Sequence, residues 1–544
     1  MLAGGVALMI AAQFASAAPD GEGGILQVGT TGASVQLDPQ AAYITTAWWL
    51  EYATAAKLYN YPDQRGPAGA LLQPEVASSY KISRDGTRYT FFIRKGFRFS
   101  DGSPVGPGNF KWAIKRALRL GDYSPARQFI DDPDGTQIVG ADDFAKGLAR
   151  DVVGVKVRGR KLIISLVQAD GTFMAKITMP FFQATSTKLP LDREVVSVRS
   201  MDDLPSAGPY AFSRNDVNRL TSIRRNPYWT RGPGRKRPRN LAGLDLQWDL
   251  NEETAYQQVV TSRLDEGPLP PAHVEAVADA FGVNRTRFWT KPVNCTGYLA
   301  MNMANDLFKG NLKLRQALNY AVSRREFVAQ AGPYAGGPWT HLFNPGVPGW
   351  RNVNPYPVER DLAKARALAA GHFRDGKINF FYWSGGTIGA AQAQIVRQDL
   401  IDLGFDPANI TMSGYSGGIY YPPGQRGNPF DLVVAGWCSD YPDPYDWINV
   451  LFYGGSIQAE NNVNYSYMDL PRWNRKLEAA AKLVGPKRFK VYGQMDLDLM
   501  REVAPIVAMR TYNNRYLFSD RVDPKHLVYQ GIYQDWSIPA LALK

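Results

Sequence analysis

The stretch from Lys377 to Trp437 constrains the fold most. "KINFFYWSGG" reads as a buried strand, "AAQAQIVRQDLIDLGF" as a helix that stops at Gly404, "ITMSGY" as a second strand and "FDLVVAGW" as a third. Strands that alternate with a helix of this length imply a parallel or mixed sheet with helices on its faces. Another stretch follows a different rule. "PEVASSYKISRDGTRYTFFIRKGFRFSDGSPV" alternates apolar with polar residues and places Asp-Gly pairs at 85–86 and 101–102, which predicts short antiparallel strands. "VVGVKVRGRKLIISLVQ" predicts a further hairpin turning near Gly159. Helices are expected in "TAWWLEYATAAKLYN", "GNFKWAIKRALRL", "NEETAYQQVVTSRLDEG" and "KLRQALNYAVSRREFVAQA", the last with Leu314, Ala317, Leu318 and Ala321 on one face. "IVAMRTYNNRYLF" closes the chain's pattern as a strand. At 544 residues the chain exceeds one compact core, so two or three domains are expected. No repeat of 20–50 residues points to a solenoid.

The net charge of +12 includes one dense basic run, "RRNPYWTRGPGRKRPRN" from Arg224 to Asn240. No nucleic-acid-binding motif accompanies it, so it reads as a solvated basic loop and no nucleic-acid partner is expected. The first residues carry a short apolar run and then Ala15-Ser16-Ala17, a small-x-small cleavage pattern. Residues 1–18 therefore read as a secretory signal peptide, although a basic leading segment is missing and no lipid-anchoring cysteine follows. Export gives the two cysteines, Cys295 and Cys438, their meaning. A small even count outside the cytoplasm favours one disulfide over two buried thiols.

Chemistry-bearing motifs are few. Gly414-Tyr415-Ser416-Gly417-Gly418 matches G-x-S-x-G, but the following "IYYPPGQRG" cannot begin the helix that a hydrolase nucleophile needs. His273, His341, His372 and His526 show no i, i+4 pairing, and neither cysteine lies in a C-x-x-C motif, so no metal site is expected. No phosphate-loop or dinucleotide fingerprint implies a cofactor. Asp131-Asp132 and Asp142-Asp143 read as solvated turns or caps. The most loaded segment is "AGWCSDYPDPYDWIN", residues 435–449, a proline-stopped loop that leaves a buried strand with an acid, a thiol and large rings.

Several segments, in consistent order, resemble the large extracytoplasmic solute-binding proteins of ABC importers, the peptide-, dipeptide- and nickel-binding family. They are "QPEVASSYKISRDGTRYTFFIRKGFRFSDGSPVGPGNFKWAIKRAL", "SAGPYAF", "RNPYW", "YLAMNMANDLFKGNLKLRQALNYAVSRREFV" and "AGWCSDYPDPYDWINVLF". The resemblance implies a two-lobed α/β fold of the type II periplasmic-binding-protein class, in its large three-domain form. Lobe I would comprise 25–70, 205–292 and 510–544, the extra domain 71–204 and lobe II 293–509. The chain would cross between lobes near Val293 and Met509.

In oligopeptide-binding relatives the aspartate two residues after the Trp-Cys pair receives the peptide ammonium, which assigns that role to Asp440. The same relatives carry a disulfide in the arrangement Cys295–Cys438. Trp437, Cys438, Tyr441, Trp383, Tyr415, Tyr298 and Tyr512, with Tyr43 from the other lobe, are the expected walls. A basic residue that some relatives place shortly before Gly-Trp is absent here, where Val433 and Val434 stand. The expected protein is a secreted, monomeric, non-catalytic receptor for peptides or amine-bearing metabolites that serves a membrane permease. A nickel-chelate, opine or oligosaccharide receptor is the alternative on the same scaffold, and a hydrolase using Ser416 the alternative from another class.

Overall fold

The computed structural model describes residues 23–544 apart from 122–123, 133–134, 196, 385–386, 416–426, 428–429, 460–461 and 484–485. The proposed signal peptide and Ser416 lie outside the described residues.

A ten-stranded mixed sheet runs through the molecule. Its order is Ile410–Tyr415, Ile378–Trp383, Leu432–Cys438, Phe288–Met301, Ile506–Phe518, Glu266–Gly267, Ile25–Gly29, Gly243–Gln247, Leu220–Arg225 and Tyr210–Asp216. The expected crossover is present: Ile378–Trp383 pairs in parallel with Ile410–Tyr415, and the helix Thr387–Leu403 connects them. Such a connection is required because parallel neighbours cannot be joined by a tight turn.

Two cores share this sheet. One gathers Leu26, Leu244, Trp248, Tyr516, Phe518 and Trp536. The other gathers Leu299, Met301, Phe380, Leu432, Val507 and Met509. The strand Ile506–Phe518 thus begins in one core and ends in the other. Its antiparallel partner Phe288–Met301 runs beside it from Phe288↔Leu517 to Ala300↔Ile506. Between the cores the ladder slips, at Val293/Thr296 and again at Gly297/Tyr298. A bulge bends and twists a strand pair locally, which suits a junction between two lobes.

A third core lies under a four-stranded antiparallel sheet ordered Ala77–Ile82, Arg88–Ile93, Lys161–Ser165, Val155–Arg158. Its two tight turns place Gly86 at φ 73° and Gly159 at φ 56°, conformations that cost glycine little. Phe91, Phe99, Phe110, Leu162 and Ile164 pack here, and Trp48, Tyr52 and Tyr441 join the same cluster.

Tertiary bonding overrides local pattern at several places. The helix expected over residues 46–60 is Thr45–Thr54 only. Beyond it the backbone bonds to distant segments: Lys57 donates its N–H to Glu75 (2.7 Å), and Ala56 accepts from the N–H of Ala184 (2.8 Å). The helix expected over 251–267 ends at Val260, and Glu266–Gly267 is a strand. Buried Asp265 anchors that strand by accepting the Gln27 N–H (2.9 Å) and the Ser519 hydroxyl (2.8 Å). The single helix expected from Lys313 to Ala331 is two, Leu312–Ala321 and Arg324–Ala329. Ser323 gives both its N–H and its hydroxyl to Asp399, and buried Arg324 donates to the carbonyls of Asn319, Trp339 and Ala508.

The basic run is less solvated than expected. Arg237 is buried against Asp63 at 2.9 Å, and Arg225 and Arg239 donate to backbone carbonyls. Asp131 and Asp132 are likewise not free turns. Asp131 pairs with Arg127 (3.0 Å), and Asp132 accepts the Tyr445 hydroxyl (3.0 Å).

Candidate functional site

The strand Leu432–Cys438 has two edges, and they differ. One is laddered to Phe288–Met301 along its whole length, from Met301↔Leu432 to Cys295↔Cys438. The other meets Ile378–Trp383 only at Leu432 and Val433. Among the described residues, 435–438 therefore pair on one side only. A backbone edge of this kind is a template for an added strand. The disulfide Cys295–Cys438, with Cα atoms 4.0 Å apart, fastens the far end of this edge to its neighbour.

The chain then turns. Pro444 caps the helix Tyr445–Phe452, and Asp446 lies fully buried in its first turn. One Asp446 oxygen accepts the Asp440 N–H (2.9 Å), the Trp437 indole N–H (3.4 Å) and the Ser439 hydroxyl (3.4 Å). Its other oxygen has no hydrogen-bond partner among the described residues. Asp446 thus braces the loop that carries Asp440.

Asp440 opens into a cavity of about 470 Å³ walled by Tyr43, Trp48, Tyr52, Trp383, Tyr415, Trp437, Tyr465 and Tyr533. The Tyr43 hydroxyl donates to its carboxylate at 2.6 Å, across 397 positions of sequence. Burial pushes the Asp440 carboxyl up to about 7, against the opposing help of that hydroxyl and of Asp446. Asp446 is raised as well, first by burial and then by the neighbouring Asp440 charge. A buried carboxylate without a cation is costly, so an incoming ammonium has a strong partner here.

A second compartment, about 620 Å³, adjoins the first and shares with it Thr45, Gly436, Trp437, Cys438, Tyr533 and Gln534. Its other lining residues include Val293, Tyr512, Asn514, Arg515, Glu266 and Asp535. Burial lifts Glu266 to about 8, with the Asp535 charge adding to it. Asp535 is lifted to about 7 by burial, less the help of its Trp536 N–H and the Tyr516 hydroxyl. Arg515 lines the same space but donates to the carbonyls of Ala331 and Pro333.

The two sides of the cleft are in contact. Besides Tyr43 and Asp440, Gln534 donates to the Ser439 carbonyl (3.0 Å), and its side-chain carbonyl lies 3.4 Å from the Cys295 sulfur.

Of the residues expected at the site, Tyr43, Trp383, Tyr415, Trp437, Cys438 and Asp440 line the first compartment, and Tyr512 lines the second. Two expectations are corrected. Tyr298 stands on the same face as its partner Ala435 and as Trp437, but it is 3% exposed, buried in the core with Val433 and Trp447 against which Tyr415, Ala435 and Tyr465 pack. Tyr441 is 1% exposed and packs edge-on against Phe129 beneath the small sheet, with Lys176 over its ring.

Asp446, Trp48, Tyr52, Tyr465, Glu266 and the tail residues Tyr533–Asp535 were not anticipated. For Asp446 a signal existed: an acid at the first turn of a helix, two residues beyond a proline. The tail residues carry no pattern that marks them.

Among the described residues no helix is long and apolar enough to cross a membrane. The chain is similar to the dipeptide-binding protein DppE of Bacillus subtilis, 23% identical over 469 residues that cover 83% of this chain and 80% of the relative. Among solved structures it resembles "Clavulanic acid biosynthesis oligopeptide binding protein 2", with a TM-score of 0.82, 21% identity and 96% of each chain covered. It also resembles the Escherichia coli murein tripeptide binding protein MppA, with a TM-score of 0.77, 21% identity and coverage of 96% and 98%. These likenesses establish the two-lobed type II periplasmic-binding-protein fold. Residues 72–459 match the model of the bacterial extracellular solute-binding proteins, family 5 Middle, and the chain belongs to that family.

Proposed function

We propose that the protein captures a peptide or peptide-like amine between its two lobes outside the cytoplasm and presents it to the permease of an ABC transporter. The observation that carries this reading is the half-paired edge 435–438 leading directly to the Asp440 carboxyl. An extended ligand adds its backbone to that edge, and its ammonium pairs with Asp440. Val433 and Val434 supply no cation for a ligand carboxylate, so ligand length is not set from that end. The relatives named above for binding dipeptides, oligopeptides and a murein tripeptide support the same class of ligand.

In this reading lobe I is 25–70, 205–292 and 510–544, the extra domain 71–204 and lobe II 293–509. The ladder slips near Val293 and Gly297 support a hinge in the strand pair, and Tyr43–Asp440 and Gln534–Ser439 are contacts of the closed state. The receptor acts as a monomer and performs no chemistry on its ligand.

Calorimetry with Ala-Gly-Gly and its N-acetyl form tests the reading. Binding of the free amine and loss on acetylation are expected; equal binding of both would remove Asp440 from the site. Native mass spectrometry of freshly purified protein should show a bound amine-bearing mass.

A further inference from the structure

We propose that the first compartment is a selectivity pocket for a large apolar, preferably aromatic, side chain on the ligand residue that carries the ammonium group. The proposal rests on the reading of Asp440 as the ammonium partner and adds the class of ligand.

Three observations carry it. Asp440 lines the first compartment and not the second. Only two bonds separate an α-ammonium nitrogen from the β-carbon of its own residue, so that residue's side chain enters the same space.

The second observation is charge. Among the described lining residues Asp440 is the only acid, and none is a lysine, arginine, histidine or glutamate. An acidic first side chain would meet the Asp440 charge, and a basic one would compete with the ammonium for it.

The third is the direction in which the wall residues spend their polar atoms. Trp48 donates its indole N–H to the Ala42 carbonyl (2.9 Å), Trp437 to Asp446 (3.4 Å) and Tyr415 its hydroxyl to the Val434 carbonyl (2.9 Å). Tyr533 bonds to Asn60 and the Tyr61 carbonyl, while its ring stacks on Tyr52 at 3.6 Å. Ser439 and Gln534 are likewise engaged with backbone carbonyls. What these rings offer the cavity is therefore carbon surface, which a hydrated or polar side chain cannot use. Trp383, 40% exposed and edge-on to Tyr415 at 5.9 Å, flanks the space. The volume of about 470 Å³ lies within the range of sites that hold small molecules, roughly 300–1,000 Å³.

Calorimetry with Phe-Gly-Gly, Ala-Gly-Gly, Glu-Gly-Gly and Gly-Gly-Phe tests the proposal. Phe-Gly-Gly should bind about tenfold to a hundredfold more tightly than Ala-Gly-Gly, from burial of one aromatic side chain. Glu-Gly-Gly should bind more weakly than Ala-Gly-Gly, and Gly-Gly-Phe should show none of the Phe-Gly-Gly advantage. The variant Ala435→Phe fills the pocket and should erase that advantage, read as the ratio of the phenylalanyl to the alanyl affinity within the variant. Trp383→Ala, at a partly exposed wall position, should reduce the advantage without unfolding the lobe.

Equal affinities for the phenylalanyl and alanyl peptides would overturn the proposal, as would a Glu-Gly-Gly or Gly-Gly-Phe preference or an advantage retained in both variants. If Ala-Gly-Gly binds and N-acetylation abolishes it, the amine reading stands whatever the side-chain result. If no tripeptide binds, both fall.

Discussion

The two compartments share the wall around Trp437 and Cys438 yet hold their carboxyls in opposite ways. In the first, Asp440 is the carboxyl that faces the rings, with its backbone braced by Asp446, which the Asp440 charge raises in turn, and its carboxylate already accepting one hydroxyl. In the second, the Asp535 charge adds to the burial that lifts Glu266, while Asp535 is lifted by burial, less the help of the Trp536 N–H and the Tyr516 hydroxyl. The lesson concerns pre-organisation. A carboxyl braced through its backbone and raised by burial gains from a cation that pairs with it, whereas Glu266 and Asp535, raised chiefly by burial, lower their cost by keeping protons. In the reading proposed above, the first receives the charge of the ligand, and the second is a polar chamber.

Exchanging the acids is the sharpest way to break this comparison. Asp440→Asn should weaken free-amine peptides by roughly a few hundred- to a few thousand-fold, following the about 3–5 kcal/mol cost of unpairing a buried charge. Glu266→Gln should change the same affinity by less than about tenfold, and calorimetry on both variants decides. Comparable losses would mean that the second compartment also receives the ammonium.

The shared wall comes next. Replacing Cys295 and Cys438 by serine should lower stability by about 2–4 kcal/mol in a denaturant titration, because the bridge closes a loop of 143 positions. A change far below that range would mean that the ladder alone holds the wall.

The pH dependence of binding should then separate the compartments. Binding an ammonium needs the Asp440 carboxylate, and burial pushes that group up to about 7. Affinity should therefore rise with pH by up to tenfold per unit below about 7, and fall again above about 8 as the peptide amine loses its proton. Tyr43→Phe removes a donor to the carboxylate and should move the rising limb to higher pH. An affinity flat from pH 5.5 to 7.5 would contradict the assignment.

The second compartment acts on stability and not on affinity. The folded-state pKa of Glu266, about 8, lies above its unfolded value, so the folded protein holds more protons between roughly pH 4.5 and 8. Its contribution is fully present below that window and is lost as pH rises through it. Glu266→Gln should flatten this part of the decline in thermal stability. An unchanged slope would show that the pair is already ionised in the folded state.

Much of this is readable in the sequence alone. The crossover at 378–415 follows from helical and strand periods that differ within a few residues, and the turns at Gly86 and Gly159 follow from glycine's freedom at positive φ. The loop around Asp440 declared itself by its prolines and its resemblance. Where pattern misled, as at Val322 and beyond Thr54, the backbone had found partners far away in sequence.

The sequence by itself determined the alternation of strand and helix and the proline-stopped loop that carries Asp440, because each is written in contiguous residues, and an even cysteine count that favoured one disulfide. Only the tertiary structure decided that Tyr298 and Tyr441 turn into cores, that Asp446 braces the loop and that Trp48, Tyr52 and Tyr533 join Tyr43 around Asp440. The reason is physical: which face of a strand meets a core and which meets a cleft depends on what packs against it. For a wall assembled from residues hundreds of positions apart, no local pattern records that choice.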